Sequence, residues 1–80
     1  LGVRIHRLER RKLVREIIVV KTRFGEIRAK VSKIEGQIKN IAPEYEDCKE
    51  IAVEQGIPLK DVYDEARRVA QKTLIEREAD

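Results

Sequence analysis

Arg4, Arg7, Arg10, Arg11, Lys12 and Arg15 fall within twelve positions near the start of this 80-residue chain. A guanidinium group is a forked, permanently charged donor that meets two phosphate oxygens at once. The chemistry this cluster offers is therefore anion binding, and a polyphosphate would suit it. Arg28 and Lys30 extend the set, because alternate residues of a strand share one face and these two are placed to join Arg4 and His6 there. The plainer alternative is a solvated surface, interrupted by Glu9 and Glu16, that only keeps the protein soluble. A second group, Glu44, Glu46 and Asp47, carries the hard oxygen donors that suit Mg2+ or Mn2+ bound along with phosphate. The same three acids also suit the positive end of a helix dipole.

Other chemistries find little support. His6 is the sole histidine and Cys48 the sole cysteine. One chain therefore holds no multi-histidine metal site, internal disulfide or thiolate cage. Cys48, three residues after Tyr45, reads as a small buried hydrophobe on an apolar helix face. Ser32 has no neighbouring base, so a hydrolase triad is not indicated, and neither a Walker lysine loop nor a dinucleotide glycine fingerprint occurs. No catalytic residue is identified. Nucleic acid or another acidic macromolecule is the competing ligand for a basic sheet. Against it, Phe24, Tyr45 and Tyr63 are not interleaved with the basic strand residues, as base stacking requires.

These residues must be positioned by two halves of opposite charge. The first forty residues carry twelve Lys or Arg against four acids and the second forty carry six against eleven, leaving a net charge of +3. Leu1, Val3 and Ile5 alternate with polar residues as a first strand would. The run Leu13 to Thr22 holds Ile17, Ile18, Val19 and Val20 in succession, which predicts a central strand covered on both faces. Phe24-Gly25 marks a turn into a third strand, where Ile27, Ala29 and Val31 alternate with Arg28, Lys30 and Ser32. Glu35-Gly36 marks the next turn, before a short fourth strand with Ile38 and Ile41.

From Pro43 the period becomes helical, with Tyr45, Cys48, Ile51 and Ala52 on one face and a stop at Gly56. After Pro58 a longer helix follows, its buried face carrying Leu59, Val62, Tyr63, Ala66, Val69, Ala70, Thr73 and Leu74, with Asp64 placed to pair with Arg68. The expectation is an α+β fold: a three- or four-stranded, mainly antiparallel sheet followed by two helices packed on one face.

Residues 1–80 make one small domain. A chain of this size buries only about 60% of the surface its unfolded form exposes, and two helices protect one sheet face, so a homo-oligomer is expected. The opening at Leu1 without methionine points to the C-terminal fragment of a longer protein whose missing part lies upstream. No apolar run is long enough to span a bilayer; no signal-like start is found, and a cytoplasmic protein is expected.

The order of motifs carries a resemblance. Gly2-Val3-Arg4, Glu9-Arg10-Arg11, Leu13, Arg15-Glu16, Arg28, Lys30-Val31, the hexapeptide Pro43-Glu44-Tyr45-Glu46-Asp47-Cys48, Gly56-Ile57-Pro58-Leu59 and Val62-Tyr63 resemble the C-terminal portion of the LarC nickel-insertion family. The resemblance runs to about Ala70, and the hexapeptide is its most specific part. It implies a CTP-dependent metallochelatase of the lyase type, which completes the nickel pincer cofactor of lactate racemase with Mn2+ or Mg2+. Nickel would be the inserted metal, and the rest of the parent protein would be a partner. It further implies that this region binds the nucleotide and oligomerises but is inactive alone. Nucleotide contacts would fall to Arg4, Arg10, Arg11, Arg15, Arg28 and Lys30, and the metal or pocket roles to Glu44, Glu46 and Asp47.

Overall fold

The computed structural model describes residues 12–78. The predicted first strand, together with Arg4, His6, Arg10 and Arg11, lies outside them. Within the described residues β1 (Leu13–Thr22), β2 (Gly25–Ile34) and β3 (Gln37–Pro43) form an antiparallel sheet in the order β1-β2-β3. Two helices follow, α1 (Tyr45–Gln55) and the longer α2 (Leu59–Glu78). The α+β architecture expected from the change of period is the one observed.

Pleating sorts the strands into two faces. Val20 of β1, Ile27, Ala29 and Val31 of β2 and Ile41 of β3 point inward, where Cys48 and Ala52 of α1 and Val62, Ala66, Ala70 and Leu74 of α2 complete the core. Three of those helical residues are alanines, which let the helix backbones approach closely. Both helices therefore cover the same face. Residues Ile38 and Ile41 both turn toward that core although they lie three apart, because a register shift at Ser32/Lys33 sets Ile38 opposite Lys33 while Asn40 stays opposite Ser32. The extra residue on β3 acts as a bulge.

Three expectations are corrected. Among the described strands Leu13–Thr22 is not the central one: β2 has that place, and β1 has a single neighbour there. Its apolar run divides by pleat, so that Ile18 and Val20 pack inward while Ile17 and Val19 stay 63% and 58% exposed. Continuous β-branched sequence fits a pleated surface whether or not its second face is covered. Secondly, Pro43 closes β3, and Glu44 is the N-cap of α1. Tyr45 is consequently 53% exposed, while Cys48, Ile51 and Ala52 keep the inward face. Thirdly, Asp64 pairs with Lys60 at 2.7 Å and Arg68 with Glu65 at 3.1 Å, in place of the expected Asp64–Arg68 contact.

Both hairpins close with two-residue turns. At the second, Glu35 and Gly36 take φ of 53° and 81°, the two positive values a type I′ turn demands. Gly56 ends α1 at φ 66° and ψ 37°, and the N–H groups of Gly56 and Ile57 both donate to the Ala52 carbonyl. A Cβ added at Gly56 would meet nothing within 4 Å, so any penalty there is conformational. Gly56→Ala is expected to cost about 1 kcal/mol, read as a lower urea midpoint with an unchanged slope.

Candidate anion-binding face

The outer face of the sheet, opposite the helices, gathers the described members of the basic set. Cross-strand neighbours Arg15 and Ser32, Ile17 and Lys30, and Val19 and Arg28 fix their places. Arg15, Lys30 and Arg28 thus stand on the side that also presents Ile17 and Val19. Arg15, Glu16, Ile17 and Lys30 line an open recess of about 630 Å³. A concave apolar floor between two cations can seat an anion that also carries an apolar or aromatic part.

The acidic set lies against the same strand. Arg28 Nε donates to Asp47 Oδ2 at 2.9 Å and Nη2 to Oδ1 at 2.7 Å, while the backbone N–H of Arg28 donates to Oδ2 at 3.0 Å. The main-chain N–H of Glu44 donates to the Arg28 carbonyl at 2.7 Å, and Lys30 Nζ lies 3.2 Å from Glu44 Oε1. The junction between β3 and α1 is therefore pinned to β2 by main chain and side chain together. Glu46 is exposed and makes no ion pair among the described residues. Glu44, Glu46 and Asp47 do not converge on one point: among the described residues no group of three or more His, Cys, Asp or Glu is arranged to hold a metal ion.

The pairing sets the electrostatics. Its hydrogen bonds, led by the Arg28 side chain and joined by the Arg28 backbone N–H, hold the Asp47 carboxyl down at about 2 against an ordinary 3.8. Arg28 is pushed further into its charged form, first by the hydrogen bonding it donates to Asp47 and then by the Asp47 charge. Burial, with the nearby Asp47 charge adding to it, raises the Cys48 thiol above its ordinary value, which suits an inert core residue and not a thiolate.

A depressed carboxyl stabilises the fold above its unfolded pKa and loses that contribution as pH falls through its folded value. Asp47→Asn is expected to cost on the order of 1 kcal/mol at neutral pH. The gap between wild type and variant should close as pH drops from 3.8 toward about 2, which denaturant titrations at stepped pH will measure.

Sequence reasoning placed Arg28 and Lys30 on one face and missed that both face acids, nineteen and fourteen residues away. The signal available was the opposite charge of the two halves. It also missed Glu16, which lies 3.1 Å from Arg77 Nη2 and 3.5 Å from Lys33 Nζ and ties the end of α2 to β1. No helix of the described residues is long and apolar enough to cross a membrane.

This geometry has relatives. The family model described as "Nickel insertion protein" matches residues 1–63. Over 63 residues the chain is 48% identical to the pyridinium-3,5-bisthiocarboxylic acid mononucleotide nickel insertion protein of Thermotoga sp. (strain RQ2), covering 79% of this chain and 16% of that protein. A putative nickel insertion protein of Syntrophobacter fumaroxidans is 44% identical over 70 residues, 88% of this chain and 18% of the relative. Among solved structures, the fold is similar to LarC2 in its apo form, the C-terminal domain of a cyclometallase involved in the synthesis of the NPN cofactor of lactate racemase. That match has a TM-score of 0.67 at 30% identity and covers 74% of this chain and 40% of that one. The chain spans 16 to 18% of the length of these curated relatives. With the family model matched over residues 1–63 and identities of 48% over 63 residues and 44% over 70, the chain belongs to the nickel insertion protein family.

Proposed function

We propose that this chain is the nucleotide-binding and self-associating module of a nickel-inserting cyclometallase that serves the NPN cofactor of lactate racemase in the cytoplasm. The observation that carries the reading is the recess on the outer sheet face, where Arg15 and Lys30 flank an exposed Ile17. Triphosphate oxygens would meet Arg15 and Lys30, with Arg4, Arg10 and Arg11 adding cations from the segment before β1. Arg28 supplies positive charge at the edge of the face, its fork being filled by Asp47.

CTP is the nucleotide the family resemblance names, and Mn2+ or Mg2+ would arrive with it. A small divalent cation is commonly held by phosphate oxygens plus one or two carboxylates, so the acids need not form a cage. Of the three, Glu46 is free of an ion pair among the described residues, while Glu44 and Asp47 would have to leave one. Nickel is the inserted substrate of the parent protein. The exposed apolar residues Leu13, Ile17 and Val19 support self-association through the same face, since joining subunits would remove them from water. The module by itself carries no proposed catalytic group.

Calorimetric titration with CTP, with and without Mn2+, tests the reading. Metal-dependent CTP binding is expected. If CTP does not bind while RNA or DNA binds in a salt-dependent way, the basic face serves nucleic acid instead.

A further inference from the structure

Glu44 occupies the N-cap of α1 and yet makes no side-chain cap hydrogen bond. Short side chains are the ones suited to close on the first amides of their own helix. The Glu44 carboxylate reaches out to Lys30 instead, 3.2 Å away, beside the recess that Lys30 and Arg15 line. Its backbone is fixed independently, by the N–H bond to the Arg28 carbonyl. Moving the Glu44 side chain therefore need not disturb the strand-to-helix junction. The pair is also partly solvated, with Lys30 64% and Glu44 25% exposed, and such contacts are weak and exchangeable. The neighbouring pair differs: Asp47 takes three hydrogen bonds from Arg28, one of them from the backbone, and holds the junction whatever the recess contains.

We propose that Glu44 is an internal competitor for the anion: its carboxylate occupies Lys30 in the empty protein, and a phosphate group of the ligand displaces it. The proposal rests on the reading of the recess as an anion site. The two acids that pair with β2 thus divide their work. Asp47 is structural, and Glu44 sets a threshold that favours a highly charged phosphate chain over monoanions, because a single negative charge offers Lys30 no more than Glu44 already does.

Glu44→Gln keeps the size of the side chain and removes the competing charge. It should tighten binding of CTP with Mg2+, and of inorganic triphosphate, by about three- to tenfold. Glu54→Gln, which removes an equal charge from an exposed carboxylate farther along α1, should change affinity by less than about twofold. In a Lys30→Ala background the gain from Glu44→Gln should vanish, a coupling that a purely structural role for Glu44 would not produce. Glu44→Ser, which supplies a capping hydroxyl, serves as a second variant should the first fold poorly. If wild type binds and Glu44→Gln binds equally or more weakly, the competitor role is overturned while the nucleotide reading stands. If neither binds CTP nor triphosphate, the nucleotide reading falls and takes the competitor role with it. Binding by the variant alone supports both.

Discussion

Ile27→Ala is expected to lower stability by about 2–5 kcal/mol, whereas Ile17→Ala should cost about 1 kcal/mol or less in the isolated subunit. The two residues have the same side chain and both lie in adjacent strands. Ile27 is fully buried between the central strand and the helices, while Ile17 is exposed on the opposite face. Truncating Ile27 loses both the transfer free energy of its methyl groups and the contacts around the void left behind. Whole-domain stability for 80 residues is on the order of 4–12 kcal/mol, so the Ile27 variant should show a much lower urea midpoint or fail to fold. Comparable losses for both isoleucines would mean that the outer face is already covered.

The second large effect concerns binding. Replacing Arg10 and Arg15 together with alanine is expected to weaken CTP, ATP and GTP alike by about 10- to 100-fold, the scale of one or two charged hydrogen bonds lost to phosphate. Base preference should stay largely unchanged, since phosphate contacts position a nucleotide without reading its base. Calorimetry on folded double variants gives both quantities. A variant that loses CTP while keeping ATP would move these arginines from phosphate to base recognition. Arg15 is exposed on β1 and lines the recess, so its removal alone should leave stability within about 0.5 kcal/mol of wild type.

Local periodicity made much of the fold legible. Ile27, Ala29 and Val31 are inward because a strand alternates. Val62, Ala66, Ala70 and Leu74 are inward because a helix returns to one face every three or four residues, and all seven of these residues are buried. Gly36 and Gly56 were recognisable as stops because both sites need positive φ. Periodicity has nothing to say, however, about what lies beyond an element. Ile17 and Val19 belong to the same apolar run as Ile18 and Val20, and only the number of helices available to cover the sheet decides which pair is exposed. Tyr45 fits the apolar stripe of α1 but sits at its first residue, where the helix has just left the sheet edge.

The candidate site was half legible for the same reason. Strand alternation put Arg28 and Lys30 on one face, and cross-strand register brought Arg15 beside them. The pairing of Arg28 with Asp47 and of Lys30 with Glu44 depends on where α1 leaves β3, a tertiary fact. Side-chain choice along α2 shows this on a smaller scale. Asp64 has a cation four residues away on either side, and the structure uses Lys60, while Arg68 turns to the buried Glu65. Spacing offers both options, and the burial of Glu65 settles the second, since a buried carboxylate needs a partner.

The central claim, that a triphosphate binds on the outer face of the sheet, is tested most directly by amide chemical shifts of the labelled chain during titration with CTP and Mg2+. Saturating shifts are predicted at Arg15, Glu16, Ile17 and Lys30, with the amides from Val62 to Leu74 nearly still. Adding a trace of Mn2+ should then broaden the same sheet resonances first, because the paramagnetic ion travels with the phosphates. Shifts confined to the solvent faces of the helices, or none at millimolar CTP, would contradict the account.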